Sequence, residues 1–249
     1  MRHPVSIEVC VDSVASAIAA ERGGANRIEL CSNLLEGGTT PSAGMMEVVR
    51  SRVTVGVQAM IRPRGGDFYY TEEEFEIMRC DLLAAKQTGA DGVVFGILKR
   101  DGGVDVERTR ELVELVRPLQ VTFHRAFDCS LDLMRALEDV IGAGADRILT
   151  SGGKQTAAEA VPLITKLVES AQKRITIIAC GGIVAANAPM IIRETGVREI
   201  HVGLRRRIAD AAEKATPSIS LGANADSELP RFQINEEDVR ALRSAVDAA

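Results

Sequence analysis

VSIEVCVDS (residues 5–13) and GGANRIELCSNLLEGGTTPS (residues 23–42) decide how this chain is read. Each holds a short apolar run, Val5–Val11 and Arg27–Cys31, with a charge or a cysteine at alternate positions. Residues two apart on a strand share a face. Glu8 and Cys10 therefore point one way, and Arg27, Glu29 and Cys31 point one way on the next run. A charge on an otherwise buried strand is costly unless it is paired or used. The pattern predicts a polar pocket at the ends of core strands.

Outward from these two runs, strand and helix patterns alternate. Ser13–Arg22 reads as a helix, and Thr40 before Pro41 reads as the cap of a helix running to Arg50. Val55–Ile61 is the third strand. Thr71 and Glu74 form a capping box that opens a helix to Gln87. Further strands follow at Asp91–Gly96, Gln120–His124, Arg147–Thr150, Ile175–Cys180 and Glu199–Val202, with helical stretches near 105–116, 131–141, 156–171 and 185–194 between them. Eight strands joined by helices call for parallel pairing. Gly24-Ala25, Gly89-Ala90, Gly144-Ala145 and the weaker Gly196-Val197 precede strands two, four, six and eight, a repeat that fits four βαβα units. The expected fold is a single α/β domain over residues 1–249, a (β/α)8 TIM-type barrel whose parallel sheet closes on itself. Residues 206–232 are expected to be a long irregular segment before an extra C-terminal helix, Glu236–Ala248, capped by Asn235 and packed on the barrel or on a partner.

Composition narrows the function. The chain has 249 residues, the usual size of one such barrel. It is 46% hydrophobic, 3% aromatic, lacks Trp and carries a net charge of −5, which argues against nucleic-acid or anionic-membrane binding. No apolar run reaches membrane-spanning length, and Met1–Pro4 runs straight into a strand, so no signal peptide is expected. Five dispersed cysteines without a CxxC pair point to a reduced, cytoplasmic protein.

In a barrel of this kind, chemistry lies at the C-terminal strand ends. Glu8, Glu29, His124 and Asp128 are the candidate acid–base groups; a histidine there has a near-neutral pKa, and Asp128 is placed to orient Arg125. Arg27, Arg62, Arg64, Arg125 and His201 are candidate anion-binding groups, because guanidinium forks suit carboxylate and phosphate. The glycine pairs after strands six and seven, including Gly152, Gly181 and Gly182, offer backbone N–H groups to an anion or simply form turns. Cys10 and Cys31 fall at similar depth on adjacent strands. Two thiolates suit a soft ion such as Cu(I) and are too few for a closed zinc site; alternatively they pack as small hydrophobes. Cys80, Cys129 and Cys180 have no evident partner.

With those residues in view, EVCVDS, RIELCS, EGGTTPS, IRPRGGDF, GADGVVFG, VTFHRAFD and DRILTSGG together resemble the CutC copper homeostasis protein family, from Ile7 to about Gly203. The resemblance implies a single (β/α) barrel, cytosolic copper handling, Cu(I) held by Cys10 and Cys31, and a homo-oligomer (dimer or tetramer). It brings no established reaction and no organic cofactor. One departure stands out: His201-Val202-Gly203-Leu204-Arg205 has glycine where relatives carry a serine hydroxyl. The competing expectation is a barrel enzyme acting on a small anionic or phosphorylated metabolite, with Arg62 and Arg64 holding the anion.

Overall fold

Eight strands pair in parallel in chain order, and the eighth returns to the first. This is seen in a computed structural model, which describes residues 5–208 and 231–248. The strands are β1 (Ser6–Val11), β2 (Arg27–Leu30), β3 (Gly56–Met60), β4 (Gly92–Phe95), β5 (Gln120–Phe123), β6 (Arg147–Thr150), β7 (Thr176–Ala179) and β8 (Glu199–Val202). The helices between them are α1 (Val14–Arg22), α2 (Ala43–Arg50), α3 (Glu72–Gln87), α4 (Val106–Val116), α5 (Leu133–Ala143), α6 (Val161–Ala171) and α7 (Ala188–Thr195).

The period-2 pattern sorts side chains as the sequence requires. Ile7, Val9 and Val11, Ile28 and Leu30, Val57 and Ala59, and Val121 and Phe123 all join the apolar layer under the helices. Glu8, Cys10, Arg27 and Glu29 alternate with them and belong to the barrel interior. Each large aliphatic residue sealed in that layer stabilises the fold by about 1.5–3 kcal/mol.

Local signals set the ends of the elements. Thr71 and Glu74 make the expected capping box, with Thr71 N–H donating to Glu74 Oε2 at 2.9 Å. The cap of α2 is Ser42, which accepts from Met45 N–H at 3.1 Å, and not Thr40. The Thr40 hydroxyl instead accepts from the Arg62 amide at 3.0 Å, so it ties β3 to the preceding loop. The Gly-Ala repeat also has a physical basis. Gly24, Gly89, Gly144 and Gly196 all take positive φ, from 73° to 97°, where a side chain would be strained. In the first three copies, the residue after Gly-Ala then accepts a backbone N–H from an odd strand: Asn26 from Ile7, Asp91 from Val57 and Asp146 from Val121.

Beyond β8 the chain forms β9 (Arg205–Ile208), which pairs antiparallel with β10 (Arg231–Ile234). Paired strands thus occupy both edges of the stretch expected to be irregular over 206–232; residues 209–230 lie outside the described residues. The last helix, α8 (Glu236–Asp247), buries Val239, Leu242 and Val246 and lies between α7 and α1, on the barrel's outside.

Candidate functional site

The interior is charged at depth. Glu8 is fully buried, accepts from Arg27 Nε and lies 2.7 Å from His201 Nδ1. Arg27 Nη2 also donates to Glu199 at 2.7 Å, and Arg147 Nε lies 3.3 Å from the same Glu199 oxygen. The register explains the meeting: Glu8 is level with Arg27 on β2 and with His201 on β8. Burial pushes the Glu8 pKa up, but Arg27 and His201 outweigh it and hold it at about 2. Both bonded arms of Arg27 are committed to carboxylates and the residue does not line the mouth cavity, so it is a structural cation and not the expected anion-binding group. Glu8 likewise holds charge in place and has no free oxygen for proton transfer.

Above this layer sit the sulfurs. Cys10 is paired in register with Glu29, and Cys31 lies two residues further on, just past the end of β2, so the cysteines are not level in the pairing. Their Sγ atoms are nevertheless 3.8 Å apart. Cys31 also lies 3.4 Å from Glu29 Oε2, and that oxygen is 3.8 Å from His201 Nε2. The Cys10–Cys31 hydrogen bond, aided by His201, overrides burial and lowers the Cys10 pKa to about 5. The same bond and burial raise Cys31 well above the usual thiol range. Burial raises Glu29 well above the usual carboxylate range, against the pull of His201. Burial disfavours a charged His201, yet Glu29, Cys10 and Glu8 together raise its pKa well above 6.5. His201 is therefore an imidazolium whose charge is already met by protein groups, not a free anion receptor. Met60 belongs to the same small buried cluster as the two cysteines and brings a further soft side chain.

These groups form the floor of a cavity of about 450 Å³, within the usual range for small-molecule sites. Cys10, Glu29 and His201 line it, with Leu34, Glu36, Met60, Arg62, Phe68, His124, Arg125, Asp128, Cys129, Leu149, Gly203 and Arg205. Arg62 Nη1 donates to the carbonyls of Glu36 and Gly38, at 2.7 and 2.9 Å, and Nη2 donates to that of Gly66 at 2.8 Å. It thereby fastens the loops after β2 and β3. No carboxylate lies within 4 Å of it among the described residues, and its Nε has no hydrogen-bond partner there.

His124 follows β5. Its Nδ1 accepts from Ala126 N–H at 3.2 Å, which assigns the ring proton to Nε2. Burial, together with Arg62, lowers its pKa to about 3. It is thus a neutral hydrogen-bond donor at ordinary pH, where the sequence suggested a near-neutral acid–base group. Asp128 is also committed. It accepts from Thr150, from Gly153 N–H, from the amide and hydroxyl of Ser151, and from Arg125 Nε at 2.9 Å. It orients Arg125, whose Nη2 reaches Ser151 Oγ at 2.7 Å, and has no oxygen left to act as a base.

Arg64, Gly152, Gly181 and Gly182 do not line the cavity. Arg64 pairs with Glu74 at 2.5 Å and donates to the Asp67 and Tyr69 carbonyls, pinning the loop before α3. The Gly152 amide donates to Thr150, and the Gly181 and Gly182 carbonyls accept from Ala157 and Asn187, which is turn architecture. The sequence reading missed Glu199 and Arg147, which complete the ion layer, and the apolar lining of Leu34, Met60, Phe68 and Leu149. Alternation on β6 and β8 could have found Arg147 and Glu199, which precede Leu149 and His201 by two.

Residues 5–206 match the model of the CutC family. The chain belongs to the CutC family. It is 48% identical over 239 residues to a mouse protein named copper homeostasis protein cutC homolog, covering 96% of this chain and 87% of that one. The corresponding human protein is 46% identical over 96% of this chain and 86% of its own. The crystal structure of a putative copper homeostasis protein CutC from Streptococcus agalactiae superposes with a TM-score of 0.75 at 34% identity, covering 79% of this chain and 97% of that one. Pyrococcus furiosus thiamine phosphate pyrophosphorylase shares the barrel at a TM-score of 0.60 and 18% identity, over 98% and 96% of the two chains, a likeness of fold alone. No helix among the described residues of this CutC family chain is long and apolar enough to cross a membrane.

Proposed function

We propose that this chain handles copper by binding Cu(I) between Cys10 and Cys31 on the cavity floor. The observation that carries the reading is the 3.8 Å approach of two sulfurs, one of which faces the open cavity and is biased towards thiolate. Few soft ligands in a confined site suit Cu(I), and the nearby Met60 thioether is soft as well. Thiols bind metal as thiolates. The remaining proton stays on Cys31 and is shared towards the Cys10 sulfur. His201 supplies a positive charge beside Cys10, so the thiolate is stabilised before any ion arrives. The curated relatives named for copper homeostasis support the same reading.

The test is titration of the reduced protein with Cu(I) against a competing chelator, beside the Cys10→Ser/Cys31→Ser double variant. The expected result is tight binding in the wild type and its loss in the variant. Affinity should also fall on acidification, because the metal displaces a proton held above the usual thiol pKa. Equal affinity in the two proteins ends the proposal.

A further inference from the structure

Two buried donors in the cavity have no acceptor, and neither belongs to the sulfur site. Arg62 is 5% exposed and His124 4% exposed, and Arg62 Nε and His124 Nε2 each lack a geometrically formed hydrogen bond among the described residues, the buried Tyr70 hydroxyl beside Arg62 being unpartnered as well. An unmet buried donor is costly, and more so when it is charged. Two of them in one cavity mark a place for an acceptor. Phe68 touches both groups: its ring centroid lies 5.0 Å from the Arg62 guanidinium carbon and 4.9 Å from the His124 ring centroid.

We propose that this wall is a carboxylate subsite for a small monoanionic metabolite. One carboxylate oxygen accepts from Arg62 Nε–H and the other from His124 Nε2–H, with Phe68 turning aside to admit them. Charge balance selects the class. Arg205 has Asp12 at 3.8 Å, Arg125 has Asp128, and His201 has Glu8. Arg62 has no carboxylate within 4 Å among the described residues, so a monoanion beside it meets its charge directly. The Glu36 carboxylate in the same lining disfavours a phosphate dianion. Neutral His124 is suited to the task, since it donates without adding a second charge. Leu34, Met60 and Leu149 offer an apolar surface to the body of the ligand.

The subsite does not depend on copper. The probe is isobutyrate, followed by the nitrogen resonances of the histidine rings in the reduced, metal-free protein, with inorganic phosphate as the comparison. The expected result is a saturable shift at His124 Nε2 with isobutyrate and roughly tenfold or weaker binding of phosphate. His124→Phe, which keeps a ring in place, should weaken isobutyrate at least tenfold, the effect of losing one charge-assisted hydrogen bond of about 1.5–3 kcal/mol. The Cys10→Ser/Cys31→Ser variant should bind isobutyrate as the wild type does. The proposal is overturned by no saturable shift up to the solubility limit, by phosphate binding as tightly, by an unaffected His124→Phe variant, or by loss of isobutyrate binding in the double cysteine variant. The last outcome would merge the two sites, whereas failure of Cu(I) binding alone would leave this one standing.

Discussion

Glu8→Gln removes one charge from the centre of the ion layer and keeps the shape of the side chain. In the wild type the Glu8 carboxyl goes from an ordinary 4.5 to about 2 on folding. At 1.36 kcal/mol per unit this is about 3 kcal/mol of stability, in line with the ~3–5 kcal/mol cost of breaking a buried pair from one side. The sign follows from the lowered folded value. The contribution is fully present above the unfolded pKa and is lost as pH falls from about 5 towards 2. Chemical denaturation at pH 7 should therefore place Glu8→Gln about 3 kcal/mol below the wild type. On acidification the two curves should converge, because the wild type loses what the variant already lacks. The His201 ring reports the same change independently. It loses one of the carboxylates that hold its proton, so its pKa, well above 6.5 in the wild type, should fall in the variant, as read by nitrogen NMR. A variant within ~0.5 kcal/mol of the wild type at pH 7, with an unchanged acid profile, would refute the buried-network account.

Asp128→Asn should lose about 3 kcal/mol in the same denaturation assay, because a buried carboxylate that accepts from Ser151, Thr150, Gly153 and Arg125 would gain an amide with hydrogens facing donors. Gly203→Ser should leave stability within ~0.5 kcal/mol, since a Cβ there meets no described atom within 4 Å; a larger loss by thermal melting would show that this rim is tighter than its geometry. Gly96→Ala should destabilise by roughly 1–3 kcal/mol, because its Cβ would come within 2.6 Å of His124 Nδ1 and 2.9 Å of Ala126 Cβ; a stable variant with an unmoved His124 resonance would contradict the packing around that ring.

Alternation made the early strands legible, because a two-residue period needs no knowledge of neighbours. It placed Glu8 and Cys10 inside and Val9 and Val11 under the helices, and it made the closed eight-stranded barrel the expected fold. It failed where the strand ended. Arg62 and Arg64 are two apart and would share a face if extended, but β3 stops at Met60. Arg62 turns inward onto loop carbonyls, while Arg64 turns out onto Glu74. Partners distant in sequence were equally hidden. Arg27 is spent on Glu199, 172 residues away, which no local pattern reveals. The protonation of His124 depends on its depth and on Arg62 from the loop after β3, so its residue type alone could not fix its pKa. The glycine pairs were ambiguous for a plainer reason: a turn needs the same residue as a phosphate cradle.

The layers are also causally ordered. Glu8 can stay ionised at full burial because Arg27 and His201 face it, and Arg27 is in turn balanced by Glu199. His201 holds its proton because Glu29, Cys10 and Glu8 surround it, and its charge helps to draw the Cys10 thiol down. The reactivity of the sulfur at the cavity floor is thus set partly by charges beneath it that no ligand touches. On the other wall the same logic runs in reverse: burial, with Arg62 close by and no carboxylate between, suppresses protonation of His124. One end of one barrel therefore presents an electron-rich sulfur pair and an electron-poor donor pair side by side. A soft cation and a small anion satisfy these separately, which is why removing the cysteines and replacing His124 are expected to have distinct effects.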